Sequence, residues 1–126
     1  MANAYYHSVS SARIFGGQPE DYIHLHHWMD SSKAFIADHR HRAVHHHAEG
    51  LFEAERVHGH VITNSDGKKV PVRVILEQHI IEDMGRIPTL SEWLELLPMK
   101  PWMSRSRLLD QPRGHRARRE EISHED

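Results

Sequence analysis

Residues 30–57 read DSSKAFIADHRHRAVHHHAEGLFEAERV, and how this stretch folds decides the architecture of the chain. Asp30-Ser31-Ser32 can cap a helix, and from Lys33 to Val57 there is no proline and one glycine, Gly50. The stretch therefore predicts one long helix, the largest element. At about 100° per residue, Ala34, Ala37, Val44, Ala48 and Phe52 fall on one stripe. Asp38, His41 and His45 project within that stripe, and Arg40, His47 and His58 project away from it.

Upstream, Ala4 to Phe15 carries Tyr5, Val9 and Ala12 at helical spacing and stops at Gly16-Gly17. Gln18-Pro19-Glu20-Asp21 then opens a second helix, running to about Met29, with Tyr22, Leu25, His26 and Met29 on one face. Downstream, Val61-Ile62 and Val70, Val72 and Val74 flank Asn64-Ser65-Asp66-Gly67, which predicts a β-hairpin over 59–75 with Pro71 at an edge or a break. Leu76 to Met84 follows as a short helix ended by Gly85. A Thr89-x-x-Glu92 capping box starts a last amphipathic helix over 90–97. The expectation is a mostly α domain of about five helices with one small hairpin, an α+β arrangement spanning residues 1–103. Residues 104–126 hold six arginines and five acids without a periodic apolar face, and they are expected to form a disordered charged tail.

Composition narrows the chemistry. Fourteen of the 126 residues are histidine, ten of them between His24 and His60, and there is no cysteine. Disulfides, thiolate catalysis and zinc–thiolate sites are excluded, so a soft-metal site must be built from His, Asp and Glu. The formal charge of −2 gives little support to nucleic-acid binding. No apolar run approaches the roughly 20 residues of a membrane span, and the expected setting is the cytoplasm without a membrane partner.

Imidazole is the commonest protein ligand for transition metals. Asp38, His41 and His45, at i, i+3 and i+7, share one face within two turns and form the first half of a candidate metal site. His79, on a helix that must return to the same core, and His26, on the apolar face of its helix, complete the candidate metal ligands. Glu77 and Asp83 are the candidate catalytic bases. Such a donor set suits zinc, iron(II), manganese or nickel. For any single histidine the plainer alternative is a partly buried polar residue satisfied by its neighbours. His39, His46 and His47 are expected on the surface or in an outer shell, because successive helical residues diverge in direction.

The segments Asp38-x-Arg40-His41-Arg42-x-x-x-His46-His47-x-x-Gly50 and Glu77-Gln78-His79-x-x-Glu82-Asp83-x-Gly85-x-Ile87-Pro88-Thr89, followed by Trp93 and Pro101-Trp102-Met103, resemble a family of small uncharacterised proteins from bacteria and their phages. The resemblance covers roughly residues 5–103 and implies a domain boundary there, but no activity. HD-type phosphohydrolases are similar only in helical architecture and ligand type, since this chain has Asp38-His39 in reverse order and no His-Asp pair. The leading functional expectation is a metal-dependent hydrolase acting on a phosphoester or nucleotide, with an unidentified small molecule as substrate. The alternative is a non-catalytic phage or mobile-element protein that binds a host protein and whose histidines are structural or pH-sensing.

Overall fold

The computed structural model describes residues 3–106. The described residues fall into two units, one up to Leu96 and one from Leu97. In the first unit, six α-helices and a two-stranded antiparallel hairpin make the α+β fold that the sequence predicts. In the second, a single 3₁₀ turn is described, over Pro101–Ser104. The charged tail beyond residue 106 lies outside the described residues.

Helix α1 spans Ala4–Phe15, with the Asn3 side chain accepting from the Tyr6 N–H, and stops at Gly16 with φ +92°. Its buried face is not the Tyr5 face. Ala4, His7, Ser8 and Ser11 turn inward, while Tyr5 and Tyr6 are exposed. Small and polar side chains let α1 approach α2 and α5 closely, and this brings a buried histidine into the interior. A 3₁₀ turn over Pro19–Asp21 leads into α2, Ile23–Met29, which is shorter than the sequence predicts.

The long helix over 33–57 does not form. The chain makes 3₁₀ turns at Ser31–Ala34 and His39–His41, then α3 over Arg42–His45, then α4 over Ala48–His58. The physical reason lies in side chains that compete for backbone donors. Asp38 is extended and accepts from the Arg40 N–H, and His47 is extended, its Nδ1 accepting from the Gly50 N–H at 2.9 Å. Between them His46 ends α3 at φ −83°, ψ 68°. Gly50 is required at this corner, because a Cβ there would stand 1.9 Å from the His45 carbonyl oxygen.

Strands β1, Val61–Thr63, and β2, Lys69–Pro71, pair with Val61 opposite Pro71 and Thr63 opposite Lys69. The hairpin is shorter than the predicted 59–75. Pro71 ends the ladder and serves as the N-cap of α5, Val72–Met84, so the β-branched alternation at Val72 and Val74 is overridden by a helical one. Val72, Ile75, Leu76, His79 and Ile80 follow i, i+3, i+4, i+7, i+8 and are all buried. The Thr89–Glu92 capping box is present, but α6 ends at Leu94.

Tyr22, Leu25, Met29, Leu51, Ala54, Val70, Val72, Ile75, Leu76 and Ile80 form the apolar core. Helices α2 and α5 continue past it into a polar interior, where the candidate site lies.

Candidate metal centre

Three segments meet in that interior. Helix α2 places His26 one turn before Asp30, and α5 places His79 one turn before Asp83, all with buried side chains. The corner between α3 and α4 turns His46 inward until none of its side chain is exposed. Its position is held by two backbone ties: the Trp93 indole N–H donates to the His46 carbonyl at 3.1 Å, and the Ala48 N–H donates to the Pro88 carbonyl at 2.9 Å.

One ligand atom each from Asp30, His46, His79 and Asp83 lies within 4.8 Å of the other three. His46 Nε2 stands 2.9 Å from Asp83 Oδ2 and 3.4 Å from Asp30 Oδ1. His79 Nε2 stands 3.2 Å from each of the same two oxygens. Each ring nitrogen thus faces both carboxylates. A tetrahedral ion with bonds of about 2.0–2.1 Å has ligand–ligand edges of about 3.3–3.4 Å, close to these separations. The cluster could hold a metal ion, and its two imidazoles and two carboxylates are the donor types that first-row divalent metals take.

The surrounding shell is polar and buried. His79 Nδ1 and His26 Nδ1 share a hydrogen bond at 2.8 Å, and His26 Nε2 pairs with Ser11 Oγ at 2.8 Å. With His79 Nε2 free to ligate, its Nδ1–H donates to His26, whose Nε2–H then donates to Ser11. Burial, with the neighbouring His79 and His7, pushes the His26 pKa down to about 2, so this ring is neutral. His7 stacks on His79 with ring centres 3.7 Å apart and reaches Glu82 at 2.7 Å and Asp83 Oδ1 at 3.1 Å. Burial opposes its charged form, but the hydrogen bonds to Asp83 and Glu82 outweigh that and raise its pKa. The same balance holds for His46 against Asp30 and Asp83. Both aspartates stay well below the ordinary carboxylate value: burial would raise them, but the facing histidines hold them down.

The residues singled out from sequence are distributed unevenly. His79 and Asp83 are in the cluster, the latter as a potential ligand. His26 bonds His79 directly. His41 lies at the edge, 2% exposed, with its unpartnered Nε2 3.9 Å from Asp30 Oδ1. Asp38, His45 and Glu77 are elsewhere. Asp38 is exposed and gripped by Arg40, whose hydrogen bonds hold its carboxyl down to about 2. His45 stacks on Trp28 at 3.8 Å and bonds the Trp28 carbonyl, and Glu77 pairs with Arg73 at 3.1 Å. The sequence reading missed Asp30, His7 and Glu82 and put His46 outside. A signal for Asp30 was present: His26-x-x-x-Asp30 repeats the i, i+4 spacing of His79-x-x-x-Asp83.

Fold and site together define a small helical α+β domain built around a buried Asp/His cluster suited to a metal ion. The chain belongs to the family described as Domain of unknown function (DUF6915), whose model matches residues 2–103. No curated protein and no solved structure matches it. Among the described residues no helix is long and apolar enough to cross a membrane.

Proposed function

We propose that Asp30, His46, His79 and Asp83 hold one divalent transition-metal ion, zinc, iron(II), manganese or nickel, and that the protein uses it to hydrolyse a phosphoester or nucleotide. The observation that carries the reading is the facing of two ring nitrogens by the same two carboxylate oxygens. A ring N–H donates well to one acceptor, so hydrogen bonding alone uses this arrangement poorly. An ion at its centre uses all four groups and offsets the cost of burying two carboxylates.

With four protein ligands, hydrolysis requires the ion to accept a fifth, where it would lower the pKa of a coordinated water or polarise an ester oxygen. With Asp83 among the ligands and Glu77 on Arg73, the proton acceptor in this scheme is His41, whose Nε2 is buried, unpartnered and 3.9 Å from Asp30 Oδ1.

Elemental mass spectrometry after reconstitution tests the metal, with about one equivalent expected in the full chain and a fall below about 0.2 in His46→Ala and Asp83→Asn. His45→Ala should keep its metal. Loading below that level with all four metals overturns the reading. Full loading without metal-dependent turnover of p-nitrophenyl phosphate or a nucleotide keeps the metal centre and removes the hydrolase.

A further inference from the structure

The cations around the cluster are left without hydrogen bonds. Arg42 reaches Asp83 Oδ1 only at 3.9 Å, and its buried Nε has no partner. Lys33 Nζ stands 3.6 Å from Asp30 Oδ2, and that oxygen is itself buried and without a hydrogen bond. His41 Nε2, also unpartnered, is 3.9 Å from the other oxygen of Asp30. Two cations, Arg42 and Lys33, therefore stand beside two carboxylates at ion-pair distance without hydrogen-bonding them, while His41, whose Nδ1–H donates to the Asp38 carbonyl, presents a bare Nε2.

Charge bookkeeping then separates two states. Without an ion, Arg42 and Lys33 balance Asp30 and Asp83. A divalent ion takes both carboxylates as its own counter-charges and leaves two positive charges beside a buried centre. Glu82 forms no ion pair with either cation; its partners are Ser10, Gln78 and His7. Space adjoins Lys33 on two sides: with His41 it lines a cleft of about 240 Å³, and with Asp30 another of about 290 Å³, while Arg42 lines neither. Asp38, at the rim of the first, is already paired with Arg40.

We propose that the metal-loaded centre binds a phosphate dianion, free or as the end of a phosphomonoester, between the ion and the cations Arg42 and Lys33. This rests on the metal reading above and narrows the substrate to monoesters. A dianion matches the surplus of two charges and offers oxygens to a guanidinium fork, whereas a diester carries one charge and leaves half the surplus unpaired.

Calorimetric titration of the zinc-loaded full chain at about pH 8, where a monoester is dianionic, tests this with three probes at constant ionic strength. Inorganic phosphate and phenyl phosphate should bind, with diphenyl phosphate at least about tenfold weaker, and zinc-free protein should bind none of them. Phosphate without phenyl phosphate would assign the site to the free ion. Arg42→Gln and Lys33→Gln should each weaken phosphate at least about fivefold with zinc content unchanged, following the loss of a charge-assisted contact. Should Arg42→Gln fail to fold, Lys33→Gln decides, since that side chain is 35% exposed. Phosphate binding that ignores zinc, a diester that binds as well as the monoester, or unchanged affinity in the folded variants overturns the proposal while leaving the metal reading intact. Failure to hold zinc overturns both.

Discussion

Gly50 shows how one residue sets the geometry of the centre. With an added Cβ 1.9 Å from the His45 carbonyl oxygen, the first turn of α4 cannot close onto the end of α3, and His46 loses the corner that turns it inward. Gly50→Ala should therefore lower stability by about 1–3 kcal/mol, the range for forced overpacking, as read by urea denaturation. Metal loading should fall with it. A neutral effect would mean that the corner relaxes without moving His46. The same corner explains why His46 was not legible in the sequence. Side-chain direction follows helix phase, and a phase carried unbroken from Lys33 to Val57 points His45 inward and His46 out. His79 and Asp83 were legible because α5 is a regular helix, in which i and i+4 stay on one face.

At the scale of elements, α5 and the hairpin carry the fold. The stripe Val72, Ile75, Leu76, His79 and Ile80 packs α5 against the interior, and with Asp83, one turn beyond His79, the helix supplies two of the four potential ligands. Leu76, fully buried, should cost about 2–5 kcal/mol on replacement by alanine, measured by denaturant titration. The hairpin turn is tied to the start of α2 by Asp21, whose carboxylate accepts from the Gln18 and Ser65 N–H groups and the Ser65 hydroxyl. These bonds, the Gln18 one foremost, hold its pKa below the ordinary 3.8. A carboxylate lowered in the folded state contributes stability that is complete above its unfolded value and lost as the pH falls through the folded one. Asp21→Asn should thus be destabilised at neutral pH, with the gap to the parent protein closing below about pH 4. A gap independent of pH would place the Asp21 contribution outside its charge. Helix α1, the Asp-Gly turn and the Thr89–Glu92 cap were legible from local rules. The break at Asp38 and His47 was not, because histidine and aspartate side chains took backbone donors that a helix would have used internally.

Across the whole molecule, the interior divides into an apolar core and a polar chamber, and the second is poorly explained as a stabilising element by itself. Asp30, Asp83 and four histidines within one small unit carry a large desolvation cost that their mutual hydrogen bonds only partly offset. Two aspartates from different helices, held ionised in the same chamber, must repel each other unless a cation stands between them. A metal ion that binds only the folded protein repays that cost through linkage: at a free concentration about 100 times the dissociation constant it adds about 2.7 kcal/mol. At roughly 4–8 °C per kcal/mol for a unit of this size, Tm should rise by about 10–20 °C on saturation with the preferred ion and return on chelation. Because α2, the α3–α4 corner and α5 would all converge on one ion, His46→Ala should abolish the rise while His45→Ala preserves it. Scanning calorimetry of the three proteins with and without metal decides between an ion-organised chamber, in which only the His46 variant loses the shift, and a self-satisfied polar cluster, in which no protein shows one.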